Sequence, residues 1–594
     1  MNKLNKTILN IIILSCILII PPFLSCEKDF LEKPRGSDIN VDSIFADRER
    51  ALSAIAQAYG NSLGAGIQVQ PWDNNLQWTG MNAGTLSHIS GELNSYKFSW
   101  EHHYTLQRAG MNSDGGGNGR AMSIDGYDFN YTSIRRCFLI IENIDKVGDI
   151  SQEEKDQIKA EMKTLIAYRY QEMFKRYGGV SLIKKSLTAE EEILIPRSNL
   201  QEVLDYIIEL CDEAVVDLPN LHPDNMKGRV TKGVALAVKA EALIYAARPL
   251  FNSTTPYLDL GEYNNLICFG NIDPNRWQNA IKASEEVITW ALANGHQIIN
   301  TGNPLEDYGT AVATPNNREI LLAYKRVDQT VDDSSYDPRR QAGGANGMSF
   351  YQLKQYYKED GTDLDWPKPD GTTYPYAHYR ERINQIEARY KASAAGAGID
   401  AWNNPGDSRW NSETLAGSSN WNGQAQTEAC GRRTKFWYRA SNRNWFEFPI
   451  YRLAEFYLNL AEAYNELDNS SKALENLNVI RTRAGLPKVT ETNRDRLRKI
   501  IQREWAVEFY EEGHRVFDVK HWKHEDIANG IIGGPKFTLW YHYISGRTWA
   551  RWDSEYTNYE VRQIYVGAFS AKEYLCPFPI KEVNKGYLVQ NPGY

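Results

Sequence analysis

The mature part of this sequence lacks a long apolar run. The one extended apolar stretch lies at the N-terminus, from Ile8 to Ile20, directly behind Lys3 and Lys6. It is long enough for the apolar core of a signal peptide and too short to cross a bilayer comfortably. No later stretch approaches about 18 consecutive apolar residues. We therefore predict that residues 1–25 are a signal peptide and that the mature chain does not span a membrane.

Cysteine is scarce and irregularly spaced, with seven in the chain and no CxxC pair. A disulfide framework and a zinc site are therefore not expected, and we predict no metal and no cofactor. Cys26 directly follows the small residue Ser25, as it would where cleavage leaves an N-terminal cysteine for acylation. We predict lipidation of Cys26 and anchoring through the burial of acyl methylene groups. Ordinary secretion without a lipid is the alternative.

A surplus of positive charge is also missing. The chain has 67 Lys and Arg against 75 Asp and Glu, which gives a formal net charge of −8. Because phosphate binding relies on clustered Lys and Arg, no nucleic-acid partner is expected. The glycine-rich stretch Asp114–Gly119 lacks the Lys-Ser/Thr ending of a phosphate-binding loop, and there is no HExxH motif. The sequence therefore gives little support to an enzyme.

Aromatic residues are abundant, at 12% of the chain, with 16 Trp and 35 Tyr. Their ring faces can stack on sugar rings, but large helical cores use them as well, so composition leaves both uses open. Most of the tryptophans fall in three weakly periodic stretches at 60–130, 336–445 and 530–575. Irregular segments of this length are usually functional.

Helical periodicity covers most of the remaining sequence. The predicted helices are Val41–Tyr59, Tyr131–Val147, Gln152–Tyr177, Asn199–Leu218, Thr231–Ala247, Trp277–Ala293, Pro449–Leu467, Ala473–Ala484 and Arg494–Glu512. Pro449 suits a first helical position, and Gly485 is expected to end its helix in a left-handed conformation. Two helices joined by a short turn resemble a tetratricopeptide repeat. We therefore predict a solenoid-like helical scaffold that carries irregular aromatic segments.

Several sequence blocks resemble the SusD/RagB family, the nutrient-binding outer-membrane lipoproteins of Bacteroidetes. They are CEKDFL (Cys26–Leu31), EMKTLIAYRYQEMFKRYGGVSLI (Glu161–Ile183), RVTKGVALAVKAEALIYAARPLFN (Arg229–Asn252), YRLAEFYLNLAEAYNE (Tyr451–Glu466) with LNVIRTRAGLP (Leu477–Pro487), REWAVEFYEEGHRVFDVKHW (Arg503–Trp522) and LCPFPIKEVNKGYLVQNPGY (Leu575–Tyr594). The resemblance implies a mainly α fold, with four tetratricopeptide-like helix pairs packed against an irregular, loop-rich lobe. It divides the mature chain into an N-terminal region, 26–340, and a C-terminal region, 341–594.

The same resemblance implies a function. It places the chain on the outer membrane, facing the exterior, as a lid for a SusC-type TonB-dependent transporter. The ligand that it implies is an oligosaccharide, bound without catalysis. Peptides or other nutrients in the same role are the main alternative.

Two aromatic and polar groups in the irregular stretches are predicted to contact the ligand. They are Trp72, Asp73, Asn75 and Trp78, and then Asp365, Trp366, Tyr374 and Tyr376. Sugar C–H faces pack on Trp and Tyr rings, burying apolar area at about 25 cal/mol per Å². Asp and Asn side chains then direct the sugar hydroxyls through hydrogen bonds. We predict that the two groups line one shallow site.

The stretch from Arg503 to Asp518 is the most charge-dense helical segment. Two carboxylates flanking a sugar would make the protein a surface glycoside hydrolase. Arg503 and Arg515 are close enough in sequence to pair with Glu504, Glu508 and the glutamates at 511 and 512. We therefore favour a structural ion-pair network over a catalytic pair.

Overall fold

The computed structural model describes residues 41–64, 85–94, 110–111, 113, 127–187, 191, 194–326, 347–396, 430–433, 435, 446–543 and 556–594. The predicted signal peptide, Cys26, the whole Trp72–Trp78 group and the predicted boundary at 340/341 lie outside the described residues. In the described ranges, no helix is both long enough and apolar enough to cross a bilayer.

Helices make up most of the described chain. They are α1 (Val41–Ile44), α2 (Arg48–Gly64), α3 (Thr85–Ile89), α4 (Tyr127–Asn143), α5 (Gln152–Tyr177), α6 (Leu200–Asp217), α7 (Lys232–Ala247), α8 (Asn275–Ala293), α9 (Pro304–Ala313), α10 (Phe350–Leu353), α11 (Tyr376–Gln385), α12 (Ala388–Ser393), α13 (Leu453–Glu466), α14 (Ser470–Arg483), α15 (Arg494–Glu508), α16 (Arg515–His521) and α17 (Ile580–Val583). The strands are β1 (Ile320–Arg326), β2 (Thr373–Pro375), β3 (Ala394–Ala395), β4 (Arg432–Arg433), β5 (Phe446–Arg452), β6 (Gly534–Tyr543) and β7 (Tyr556–Gly567).

Four helix pairs form a continuous row. Within the pairs, α2 packs on α4, α5 on α6, α7 on α8, and α13 on α14. Between the pairs, α4 contacts α5, α6 contacts α7, and α8 contacts α13. The last pair therefore extends the row although it lies about 160 residues later in the chain than α8. This row confirms the predicted mainly α scaffold with tetratricopeptide-like pairs.

The ends of these helices follow local capping chemistry. The Ser151 side chain accepts the backbone N–H of Glu154 at the start of α5, and Asn199 forms a capping box with Glu202 at the start of α6. Gly485 follows α14 with φ of 72°, the left-handed conformation predicted for it. These signals are local, so the sequence predicted α5 to the residue.

The predicted helix start at Pro449 is wrong. Pro449 lies inside β5, opposite Ala323 of β1, and α13 begins only at Leu453. A two-stranded sheet has only edge strands, so a proline can place its missing N–H on the side away from the partner strand. The apolar spacing of the segment suited a helix, and pairing with a strand more than a hundred residues earlier overrode it.

The predicted helix Arg494–Glu512 is also shorter than expected. It ends at Glu508, and a second helix begins at Arg515. Glu511 has φ of 62° and Gly513 has φ of 89°, so the chain turns sharply between the two helices.

The irregular lobe contains a three-stranded sheet in the order β2-β7-β6, with both pairings antiparallel. The stretch 530–575 was predicted to lack regular structure, and the two long strands β6 and β7 correct that expectation. One face of the sheet joins α10, α11 and α12 in a core that includes Trp366, Tyr379 and Tyr541. This second core lies beside the helix row and gives the lobe its rigidity.

Ten buried charged side chains connect the row to the lobe, and we call them the central ion cluster. They are Arg389, Lys435, Arg452, Arg481, Arg483, Glu319, Glu387, Glu504, Glu508 and Glu512. Five are cationic and five anionic, so the cluster is balanced in formal charge. Burying ions in this way is tolerable only when each is paired and hydrogen-bonded.

Glu508 lies at the centre of the cluster. One carboxylate oxygen accepts from Arg452 at 3.0 Å and from Arg483, and the other lies 3.3 Å from Arg389 Nη1. Burial alone would raise the pKa of Glu508, but the three guanidinium groups outweigh it and hold that pKa well below its ordinary value.

This arrangement confirms the interpretation of the charge-dense stretch as a structural ion-pair network. The predicted partners are wrong, because the arginines come from α12, β5 and α14. Arg503 instead pairs with Asp363 at 2.6 Å, and Arg515 makes no ion pair in the described part of the chain.

Replacing Glu508 by Gln should destabilise the fold strongly. The substitution removes one negative charge from beside the buried guanidinium groups. Breaking a buried ion pair in this way lowers the free energy of unfolding by about 3–5 kcal/mol. Glu525→Gln is the matched control, since Glu525 pairs with Lys499 where both side chains are exposed, and it should change little. Urea unfolding at pH 7 measures both variants, and equal stabilities would contradict the role given to the cluster.

Because the pKa of Glu508 is lowered in the folded state, the contribution of this carboxylate to stability is present above pH 4.5 and declines as pH falls further.

Gly233 in α7 should tolerate no side chain. A Cβ at this position would lie 2.0 Å from the indole of Trp290 in α8. We expect Gly233→Ala to lower the free energy of unfolding by about 1–3 kcal/mol, because the close packing of the α7–α8 pair must open. Gly60→Ala in α2 is the matched control. A Cβ there has nothing within 4 Å, so the better helix former should stabilise by about 0.5–1 kcal/mol. In thermal or urea unfolding we therefore expect Gly233→Ala to lower the stability of the protein and Gly60→Ala to raise it.

Candidate ligand-binding surface

One aromatic and polar surface forms where β2 leads into α11. Tyr374 lies in β2, the edge strand of the sheet, and His378 and Arg382 follow it on α11. The spacing of four residues brings His378 and Arg382 onto one side of α11, and the ring of Tyr374 stacks on His378. We call Asp365, Tyr374, His378 and Arg382 the Tyr374 surface.

Ring stacking fixes Tyr374 in place. Its ring lies 4.9 Å from the imidazole of His378, with 27° between the planes, and 6.0 Å from the ring of Tyr559. Tyr374 is half-buried, so part of the ring remains open to solvent. A ring that is held on one side and open on the other can receive the C–H face of a sugar.

His378 links this ring to the sheet below. Its Nδ1 lies 2.6 Å from the hydroxyl oxygen of Tyr559. Burial, followed by the charge of Arg382, lowers the pKa of His378, so the neutral imidazole is favoured near pH 7. A neutral imidazole that accepts the Tyr559 hydroxyl at Nδ1 carries its proton on Nε2. His378 can therefore donate one hydrogen bond to a ligand.

Asp365 and Arg382 complete the surface. Arg382 Nε donates to the backbone oxygen of Asp365 at 2.6 Å, and Arg382 Nη1 donates to the backbone oxygen of His378 at 2.9 Å. These bonds hold the Asp365 segment against α11 and leave the exposed Asp365 carboxylate as an acceptor. The surface thus offers a ring, a donor and an acceptor to a hydroxyl-rich ligand.

Trp366 and Tyr376, the other two residues predicted for this group, lie in the core. Trp366 is 8% exposed and packs near Phe350 and Tyr379, while Tyr376 is 6% exposed and stacks on Tyr556 at 4.9 Å. Neither offers a free ring face in this structure. Trp366 and Tyr376 have polar neighbours in the sequence, and those neighbours suggested a site. In the folded chain both rings lie beneath the Tyr374 surface and support it.

The outer face of the sheet carries a second aromatic group. Trp540 of β6 lies beside Glu560 of β7, and the guanidinium of Arg562 sits 4.1 Å from the centre of its ring. His542 Nε2 lies 3.4 Å from Glu560 Oε1, and Arg562 also pairs with Glu560. Cation–π contact with Arg562 occupies part of the Trp540 ring, so this group is less open to a sugar than Tyr374.

Sequence reasoning missed His378, Arg382 and Tyr559. The four-residue spacing between His378 and Arg382 was a usable signal, since it places them on one side of a helix. No sequence signal pointed to Tyr559, because the register of β2 on β7 brings it opposite Tyr374.

Catalytic and metal chemistry find little support among the described residues. Glu504 and Glu508, the strongest candidates for a glycosidase pair, are fully buried and paired with arginines, so no polysaccharide reaches them. His521 is buried, and its Nε2 lies 2.8 Å from the backbone oxygen of Lys175. Across the described ranges no three His, Cys, Asp or Glu side chains are placed to hold a metal ion.

Comparison with known families matches both halves of the chain. A family model described as "SusD family" matches residues 319–594, and one described as "Starch-binding associating with outer membrane" matches residues 29–243. A relative from Formosa agariphila, "SusD-like protein P25", is 24% identical over 438 residues. That alignment covers 69% of this chain and 71% of the relative.

Solved structures share the fold. A SusD-like protein from Bacteroides fragilis superposes with a TM-score of 0.69 at 22% identity, covering 93% of this chain and 98% of its own. A SusD-like carbohydrate binding protein from the same species gives a TM-score of 0.65 at 18% identity, covering 91% and 99%. At these identities the structural likeness concerns the fold alone. The two family models, which match residues 29–243 and 319–594, show that this chain belongs to the SusD/RagB family, a family of carbohydrate-binding proteins associated with the outer membrane.

Proposed function

We propose that this protein captures oligosaccharides outside the cell and passes them, without cleavage, to a SusC-type TonB-dependent transporter in the outer membrane. The observation that carries the proposal is the Tyr374 surface, which combines a supported ring with a donor and an acceptor. Membership of a carbohydrate-binding family supports the same ligand class.

The binding site in this proposal joins two parts. Tyr374 provides the stacking ring, and His378 and Asp365 direct the sugar hydroxyls. In this proposal Trp72, Asp73, Asn75 and Trp78 also contact the ligand, and Trp366 and Tyr376 support the Tyr374 surface from beneath. The proposal keeps one shallow site, as the sequence suggested, with Tyr374 as its main ring.

The anchoring part of the proposal depends on Cys26. An acylated Cys26 would hold the mature chain at the outer membrane, where its ligand surface can meet glycans before the transporter does. Binding by a lid of this kind needs no catalytic group, which agrees with the burial of Glu504 and Glu508.

Tyr374→Ala should weaken glycan binding at least about tenfold, corresponding to roughly 1.4 kcal/mol for the lost stacking. The ligand is first identified by calorimetry of the mature chain against a glycan panel, with a peptide panel alongside. Tyr263→Ala is the matched control, because Tyr263 is 43% exposed in a short helical turn between α7 and α8 and does not belong to the Tyr374 surface. Trp366→Ala is a poor test, since truncating a buried tryptophan costs about 3–5 kcal/mol of stability.

Three results would contradict this proposal. They are an unchanged Kd for Tyr374→Ala with a confirmed glycan, binding of peptides only, and steady release of reducing ends from a polysaccharide. The last result would favour the surface glycoside hydrolase instead.

Cys26→Ser should release the protein from the outer membrane. Without the thiol no acyl chain can be attached, so the variant is expected in the soluble fraction after cell lysis, while the parent chain needs detergent. Native purification of the parent in mild detergent should also co-elute a TonB-dependent transporter. Membrane retention of Cys26→Ser, or purification without any transporter, would contradict the anchor or the partnership respectively.

A further inference from the structure

A cleft of about 510 Å³ lies between elements that do not contribute to the Tyr374 surface. It is lined by the start of α4, by residues between 181 and 187 together with Ile195, and by Glu582 and Tyr587 near the C-terminus. Pockets that bury small ligands commonly span about 300–1,000 Å³. None of the residues that line this cleft belongs to the site proposed above.

Three tyrosines form the aromatic wall of the cleft. The rings of Tyr127 and Tyr131 lie 5.1 Å apart at 62°, and Tyr587 enters from the C-terminal side. Tyr131 donates its hydroxyl to the backbone oxygen of Ser181 at 3.0 Å, and Tyr587 donates to the Glu582 carboxylate at 2.8 Å. Tyr131 and Tyr587 are half-buried, so these bonds fix the rings while leaving part of them open to the cleft.

The charges at the cleft balance. Asp128 and Glu582 supply two carboxylates, and Arg135 and Lys185 supply two cations. Asp128 already pairs with Lys581 at 2.5 Å, and Lys185 pairs with Glu191. Arg135 is exposed and has no hydrogen-bond or ion-pair partner within the described part of the chain.

This composition selects among ligand classes. A purely apolar ligand would desolvate the Arg135 guanidinium without giving it a partner, which is costly. An ion of either sign would meet both attraction and repulsion at the rim. A neutral ring with many hydroxyl groups can stack on the tyrosines, donate to the carboxylates and accept from Arg135.

We propose that this cleft is a second carbohydrate site that takes one or two sugar units, separate from the Tyr374 surface. The inference deepens the proposed function and rests on it for the ligand class. Two sites on one chain raise the effective concentration of a long glycan at the second site once the first is occupied. Long chains would then be retained better than short ones of the same composition.

The test uses methyl NMR of the mature chain with labelled isoleucine δ1 methyl groups. Ile183 and Ile195 line the cleft, and Ile383 lies in α11, on the helix that carries His378. Maltose, cellobiose, mannobiose and N-acetyllactosamine are titrated as probes. We expect at least one of them to shift the Ile183 and Ile195 signals saturably.

A paired substitution identifies the cleft as the origin of those shifts. Thr132→Trp places an indole in the cleft from an exposed position on α4. It should weaken the probe affinity measured from the Ile183 and Ile195 shifts at least about tenfold. The Ile383 signal should not change. Phe129→Trp is the control, because Phe129 is 41% exposed on the same helix and does not line the cleft.

Each outcome decides the inference. Saturable shifts at Ile183 and Ile195 that Thr132→Trp removes and Phe129→Trp preserves support it. Shifts at Ile383 alone overturn the second site and leave the proposed function standing. No saturable shift at any of the three methyl groups with these probes overturns the second site as defined here, and glycan binding by calorimetry then decides the proposed function separately.

Discussion

The buried pairing of Glu508 with three arginines is the constraint on which the rest of the structure depends. Arg389 comes from the lobe, Arg452 from the strand that enters α13, and Arg483 from the end of α14. A carboxylate that must satisfy all three fixes the position of three elements relative to α15. Because an unpaired buried ion is far more costly than a paired one, the elements cannot slide independently. The central ion cluster therefore ties the last helix pair to the lobe.

That tie determines where the Tyr374 surface lies. Arg389 belongs to α12, and α12 directly follows α11, the helix that carries His378 and Arg382. Fixing α12 against α15 fixes the end of α11, and the tyrosine core beneath it fixes the rest. Tyr374 then stands on an element that is supported from two sides. A binding ring needs such support, since ordering a mobile side chain on binding would cost affinity.

The scaffold could be predicted from the sequence because its signals are local. The α5 boundaries, the Asn199 cap and the left-handed Gly485 each depend on residues a few positions apart. The helix start predicted at Pro449 was wrong because the partner strand of this segment lies more than a hundred residues earlier. The strands β6 and β7 were not predicted because their pairing is also non-local. The positions of the predicted site residues depend on the same non-local contacts. Asp365 and Tyr374 reach a common surface, while Trp366 and Tyr376 turn into a core whose other members come from distant strands.

The division between those four residues also explains what the aromatic surplus does. A lobe with little helical periodicity has few apolar faces of its own, so large rings such as Trp366, Tyr379 and Tyr541 fill its core. Rings at the edge of that core, such as Tyr374, have one side packed and one side open. The same residue type therefore stabilises the lobe where further rings surround it and, in the proposed function, contacts the ligand where polar side chains surround it. In the proposed function, an aromatic composition favours glycan capture because the proposed binding ring, Tyr374, is an outermost member of a packed aromatic core.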